Sequence, residues 1–423
     1  MSGTHTLSFI HISDIHFVKS SNDPYDIDDE LREAMLNDIR NHGKLELDIN
    51  GILVCGDIAF SGQKEEYEIA IDFLNKIAKI CRLENNDIYC VPGNHDVDQS
   101  IAKTSRVLEL AQDDLMSVKS ADELDKKIRN IQLDPIINVN NGLLYEPIEM
   151  YNQFFQSMSC NFTVDKPNWQ TPIPLNAQYK LIIYGMNSTL TSNYKDHLDD
   201  KGNKRQDGTE RKMIINRKQI PNVYSDSIYL SLCHHPPDCW NDSRLEELMD
   251  ERVKIQLYGH KHIQNIDADK KRIRIGSGAL HPERGDGWVP RYNWLELWIE
   301  NDVLCVRIYP RIFDNKKGIF APDINSCDSG YEYKMCYLNL SYEESNDVGE
   351  TEKYATEVRE TTLITKEIVY LFSVLSDSNK ILIVRSFPNI TYEINQGIEI
   401  LLEQLKLHEL EEKFLEKLRS KEY

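Results

Sequence analysis

Five short polar clusters carry the chemistry of this chain: "SDIHF" with Asp14 and His16, "GDIAFSG" with Asp57, "GNHD" with Asn94, His95 and Asp96, "CHHPP" with His234 and His235, and "GHKH" with His260 and His262. Each directly follows a short apolar run of the kind that forms a buried strand. Carboxylates, imidazoles and an amide oxygen are cation donors, and burying so many together without a cation costs several kcal/mol in unpaired polar groups. Thiolates are missing from the set, and no Cys-x-x-Cys pair occurs anywhere in the chain. The donors therefore suit Mn, Fe, Zn, Ni or Co in a working site better than a structural zinc cage. They are also too many for one ion. Two divalent ions sharing a carboxylate, about 3.5–4 Å apart, would use them and hold a hydroxide in line with a phosphorus atom.

The elements that must place these residues follow from the same pattern. "LSFIHIS", "GILVCGD", "DIYCVPG", "KLIIYGM", "SIYLSLC", "KIQLYG" and "RIRIGSG" read as strands, and "DELREAMLNDIRNH" and "EEYEIAIDFLNKIAKIC" as helices between the early ones. Strand–helix alternation over the first 95 residues predicts an α/β sheet, whose functional groups gather beyond the C-terminal strand ends. Residues 98–175 turn helical and irregular and read as an insertion over the sheet edge. Within it Ser120 and Glu123 fit a capping box. Asn301 and Asp302 fit a hairpin turn inside "YNWLELWIENDVLCVRIYP". The expected domains are 1–340, an acidic linker at 341–361, and a small helical module at 362–423.

Taken together, "DIH", "GD", "GNHD", "HHP" and "GHKH" resemble the calcineurin-like metallophosphoesterase superfamily over about residues 7–310. The resemblance implies an αββα core of two facing sheets. It gives one ion Asp14, His16 and His262, the other Asn94, His234 and His260, and makes Asp57 the bridge. It places His95 over the scissile ester, to protonate the leaving oxygen or position the phosphate. Gly93 is then expected as the joint that turns the backbone toward the metals. Two divalent cations against Asp14 and Asp57 leave a site of about +2, which draws phosphate to it. Asp96 either orients His95 as a catalytic partner or stabilises the turn. His235 is a neighbouring or substrate-facing group, since the H-x-P spacing of the family points to His234 as the ligand. His11 reads as a core histidine, and the loop containing His281 either lines the pocket or is plain surface.

"CHHPP" and "GHKH" look most like the cyclic-nucleotide phosphodiesterase branch, so a phosphodiester is the expected substrate. A nuclease acting on DNA or RNA is the alternative. Lys201, Lys204, Arg205, Arg211, Lys212, Arg217 and Lys218 would contact the nucleic acid, although acids are interspersed among them. With 49 basic against 69 acidic residues the formal net charge is −20, which disfavours nonspecific coating of polyanions. No run of about 20 apolar residues or basic leader is present, so a cytoplasmic protein without membrane contact is expected. Nine scattered cysteines fit reduced thiols. The tail from about 358 resembles the small helical adaptor domains, of the death-domain kind, that end many bacterial immune effectors. It would bind a protein partner, or else form a lid on the core. A non-catalytic scaffold whose tail does the work is the remaining reading.

Overall fold

The computed structural model describes residues 5–19, 26, 28–42, 48–134, 142–198, 211–280, 289–340, 368, 371–372, 375–392, 398–408 and 410–420. Its strands are β1 (Leu7–Ile12), β2 (Ile49–Cys55), β3 (Ile88–Val91), β4 (Asn168–Pro174), β5 (Lys180–Met186), β6 (Ser227–Cys233) and β7 (Ile255–Tyr258). They continue with β8 (Gln264–Ala268), β9 (Ile273–Ser277), β10 (Arg291–Glu300), β11 (Val303–Asp314), β12 (Ile319–Pro322) and β13 (Lys334–Asn339). One sheet has the order β12-β11-β10-β1-β2-β3, with β13 also on β11, and the other the order β4-β5-β6-β7-β9-β8.

In each sheet the central strands are parallel: β1 with β2 and β2 with β3, then β5 with β6 and β6 with β7. Strands buried on both faces read as unbroken apolar runs, which is why "LSFIHI" and "SIYLSLC" were legible. Parallel pairing also puts all their C-terminal ends on one edge, where the five clusters lie. Between the sheets runs a core that includes Phe9, Leu53, Tyr89, Leu181, Leu230 and Leu232.

Helices cover the outer faces and complete the αββα layering. On the first sheet lie α1 (Asp29–His42) and α2 (Lys64–Cys81). The α2 helix buries Tyr67, Ala70, Phe73, Leu74, Ile77 and Ala78, the stripe expected of a 3.6-residue period. Its start is fixed by Glu66, whose carboxylate accepts from the Ser61 and Gln63 N–H groups at 2.9 and 3.0 Å. The insertion contributes α3 (Gln99–Thr104), α4 (Arg106–Met116), α5 (Ala121–Leu133) and α6 (Glu149–Phe155). On the second sheet, Leu245 and Met249 of α7 (Arg244–Arg252) pack with Ile182, Tyr184, Tyr229 and Trp240.

The structure differs from the sequence reading in two local features. Within the 98–175 stretch, Asn168–Pro174 are not helical or irregular but form β4, an edge strand, where Pro172 and Pro174 cost little in lost pairing. Ser120 occupies the N-cap of α5 without a side-chain cap bond, and the Ala121 N–H instead donates to Asp242 Oδ2 at 3.1 Å. The hairpin forms as expected, with Asn301 and Asp302 both in left-handed conformation between β10 and β11.

The chain divides into two compact units, residues 1–341 and 342–423. The second contains α8 (Asp377–Arg385), α9 (Ile398–Leu407) and α10 (Glu411–Ser420) around its own core of Ile383, Leu401, Leu405, Phe414 and Leu418. The expected acidic linker, 341–361, lies outside the described residues. No described helix is long and apolar enough to cross a membrane. All nine cysteines are free, most of them buried.

Candidate metal centre

The seven expected ligands arrive from both sheets. Asp14 and His16 follow β1, Asp57 follows β2, and Asn94 opens a short 3₁₀ turn after β3. From the other sheet, His234 follows β6, and His260 and His262 follow β7. The first two loops are zipped together by backbone bonds: Asp14 N–H to Gly56 O at 3.0 Å, and the Ile15 and His16 N–H groups to Asp57 O at 2.9 and 3.0 Å. Asp14, His16, Asp57, His260 and His262 all have φ between 50° and 68°. L-residues with side chains adopt that region reluctantly, and residues held there concentrate at functional sites.

The donor atoms converge. Asp57 Oδ2 stands 3.6 Å from His16 Nε2 and 3.3 Å from His234 Nε2. Asp14 Oδ1 lies 3.3 Å from His262 Nε2. Asn94 Oδ1 lies 3.0 Å from His234 Nε2 and 3.1 Å from His260 Nδ1. Asp14, His16 and His262 form one set with ligand atoms within 4.8 Å of one another, and Asp14, Asp57 and His234 form another. Ligand bonds of about 2.0–2.2 Å place neighbouring donors around a cation roughly 3.0–3.6 Å apart, which is the spacing seen.

Whether these residues fit a cation is tested by His234. Its Nδ1 is 2.9 Å from the Cys55 carbonyl, which can only accept, so Nδ1 carries the ring proton. In the neutral ring Nε2 then presents a lone pair to the Asn94 oxygen and the Asp57 carboxylate. Three acceptors face one another in a fully buried spot, an arrangement that needs a positive charge among them. Without a cation a second proton must serve: burial opposes it, but Asp57 and Asp14 outweigh burial and lift His234 to about 9. Burial likewise raises the Asp14 and Asp57 carboxyls, yet His262 beside Asp14 and His234 beside Asp57 hold both below the usual carboxylate range. A divalent cation replaces such protons on binding, so the donor set fits one. Space is reserved for the carboxylates as well, since a Cβ at Gly259 would strike Ser13 Oγ and come within 2.9 Å of Asp14 Oδ2.

The remaining expected residues have distinct places. His95 is held by its Nδ1, 2.8 Å from the Phe60 carbonyl, and by its backbone N–H, which donates to Asp57 Oδ1 at 2.8 Å. Its ring meets His16 edge-on with centroids 4.5 Å apart. Asp96 does not orient that ring. Its carboxylate accepts from the Gly93, Ala59 and Ile58 N–H groups at 2.8, 2.9 and 3.2 Å and from Tyr67 Oη at 3.0 Å, clamping the loops after β2 and β3 together. Burial and nearby Asp57 push this carboxyl up to about 6 against those bonds. The orienting partner of His95 is thus a backbone carbonyl, which no side-chain pattern could reveal. Gly93 is also not a turn residue, because its φ of −109° suits any residue. It is required because a Cβ there would strike Asp57 Oδ1.

His235 lies fully buried, with Nδ1 2.7 Å from Ser188 Oγ and its Nε2 without a hydrogen-bond partner among the described residues. Burial, with His260 and His234 alongside, holds it well below the ordinary imidazole range. His11 is a core residue with no exposure. In the basic run, Arg211 is committed to Asp196 at 3.5 Å and Asp113 at 3.6 Å, and Lys212 to the Asp238 carbonyl. Lys201, Lys204 and Arg205 lie outside the described residues, as does the His281 loop at 281–288.

A family model described as calcineurin-like phosphoesterase matches residues 7–264. An uncharacterized metallophosphoesterase-like protein, YydB of Bacillus subtilis (strain 168), is 30% identical over 281 residues, 64% of this chain and 53% of its own. The chain thus spans about half the length of that curated relative. Among solved structures, Vps29 of Chaetomium thermophilum is 10% identical with a TM-score of 0.31, covering 78% of this chain and 98% of its own. Purple acid phosphatase PPD1 from yellow lupin (Lupinus luteus) seeds is 11% identical with a TM-score of 0.34, covering 79% of this chain and 54% of its own.

Proposed function

The chain belongs to the calcineurin-like phosphoesterase family, and from that premise we propose that it hydrolyses phosphodiesters with the help of two divalent cations. The observation that carries the reading is the position of Asp57 Oδ2, within 3.6 Å of His16 and 3.3 Å of His234, one from each donor set. Asp14, His16 and His262 would hold one cation, Asn94, His234 and His260 the other, and Asp57 both. Manganese heads the candidates, with Fe, Zn, Ni and Co in the same donor class. Bound there, such a pair supplies Lewis acidity toward a phosphoryl oxygen and a nucleophile at neutral pH.

His95 would handle the other end of the reaction. Its Nδ1–H is committed to the Phe60 carbonyl, so Nε2 is the atom that gives a proton to the departing oxygen when the ring is charged. Asp57 Oδ1 fixes the backbone under that ring. Room for two ester groups is supported by the open rim, where His262 is 23% exposed and Phe60 46% exposed. The nuclease alternative gains no support from Arg211, which is paired with Asp196 and Asp113, or from Lys212, which donates to the Asp238 carbonyl. The C-terminal unit, with a core of its own, is proposed as the module that binds a protein partner.

The test is hydrolysis by the manganese-loaded full chain of bis-p-nitrophenyl phosphate, p-nitrophenyl phosphate, cyclic mononucleotides and DNA. Faster turnover of the diester, lost by about 10²–10⁴-fold in His95→Ala, is expected. Preference for the monoester, or hydrolysis indifferent to manganese, overturns the proposal. Cleavage of DNA alone replaces it with the nuclease.

A further inference from the structure

Phe60 stands at the rim of the candidate centre with 46% of its surface exposed. Its backbone is fixed on both sides. The Phe60 N–H donates to the Phe17 carbonyl at 3.0 Å, Phe17 and Ala59 form a parallel bridge, and the Phe60 carbonyl receives His95 Nδ1 at 2.8 Å. The ring itself lies 5.3 Å from the His95 ring, inclined at 40°, and 6.1 Å from that of His16. The chain therefore holds a large apolar ring partly in water, although burying a phenylalanine stabilises a protein by roughly 1.5–3 kcal/mol. The duties assigned so far use only the Phe60 backbone, which any residue except proline could supply.

We infer that the Phe60 ring is a stacking platform for a nucleic-acid base on the leaving-group side of the centre, so that the site selects phosphoesters of nucleosides. This rests on the phosphoesterase reading, because His95 marks the leaving-group side only if it delivers the proton. An aromatic ring beside a phosphate site recognises a base without regard to its sequence, since every base has a π face. Its rigid backbone means that little ordering is needed when a base arrives. The base and its phosphate can come from a free nucleotide or from a single strand.

The experiment is calorimetric binding of adenosine 5′-monophosphate, ribose 5-phosphate and an octathymidylate to the manganese-loaded full chain, its Phe60→Ala variant and its Phe60→Trp variant. The wild type should bind the nucleotide about tenfold more tightly than the sugar phosphate. That ratio should fall to roughly 1–2 in Phe60→Ala and return in Phe60→Trp. Tighter, steeply salt-dependent binding of the octathymidylate identifies a strand as the source, and tighter binding of the mononucleotide a free nucleotide; both support the platform. Equal binding of nucleotide and sugar phosphate by the wild type, including no binding of either, overturns it. So does an equal loss for both ligands in Phe60→Ala, which would mean that the ring only shapes the His95 loop. Phosphodiester turnover is measured separately, so its absence would count against the proposed reaction and leave the binding ratio to decide the platform.

Discussion

His234 Nε2 faces the amide oxygen of Asn94 at 3.0 Å, while Nδ1 of the same ring is committed to the Cys55 carbonyl. Two lone pairs brought that close in a buried site require a positive charge, and His260 Nδ1, 3.1 Å from the same oxygen, adds a third donor. In the proposed centre Asn94 therefore serves one cation and has no place in the other's ligand set.

Replacing it should remove one cation selectively. Asn94→Ala is expected to retain about one manganese per chain where the wild type retains two, with activity lowered by at least about 100-fold. Elemental analysis after equilibrium dialysis reads the stoichiometry. Two ions still bound to the variant would show that the amide is not a ligand.

Gly93 tests close approach rather than backbone freedom. Its backbone angles are open to alanine, but the added methyl would press on Asp57 Oδ1 and lie 2.5 Å from the Asp57 backbone nitrogen. Gly93→Ala should keep its far-ultraviolet circular dichroism and lose at least about tenfold in manganese affinity, since small misplacements of a binding group are costly. Wild-type affinity would dismiss the steric account.

His11 supplies a pH signature. Burial presses its pKa from 6.5 to about 3 against the pull of Asp14. Between those values the unfolded chain binds the proton and the folded one does not, so stability falls as pH drops below 6.5 and keeps falling until about 3. At pH 4.5 this amounts to roughly 2–3 kcal/mol. Urea denaturation in EDTA at pH 7 and pH 4.5 should show His11→Gln losing less stability than the wild type by about that amount. Identical losses would rule out a neutral buried ring.

The two units should part cleanly. Residues 1–341 carry the two-sheet core and every proposed ligand, while Ile383, Leu401 and Phe414 build a separate cluster beyond them. A chain ending at residue 341 is expected to unfold cooperatively and to bind manganese as the full chain does. Aggregation or loss of metal binding on truncation would favour a C-terminal lid.

The sequence was most readable where two periodicities met: an apolar run ending in a Gly, Asp or His cluster marks a strand and its loop at once. That is how β1, β2, β3, β6 and β7 and the polar clusters after them could be placed. The pattern failed at β4, where Pro172 and Pro174 imitate a loop and an edge strand tolerates them. It also failed where backbone atoms act. Phe60 holds His95 through its carbonyl, and Asp96 holds three N–H groups, and neither leaves a trace in side-chain spacing. Gly93 was singled out correctly for the wrong reason, because sequence shows that a side chain is missing but not which atom needs the space.

Each proposed cation draws donors from both sheets: His262 joins Asp14 and His16 across the gap, and His234 and His260 join Asn94. Metal occupancy would thus rivet the halves of the sandwich at one edge, making catalysis and mechanical cohesion a single property. Chelators should then do more than stop the proposed hydrolysis: the seam beside Cys55 and Cys233 would begin to breathe, and its amide protons would exchange with solvent first.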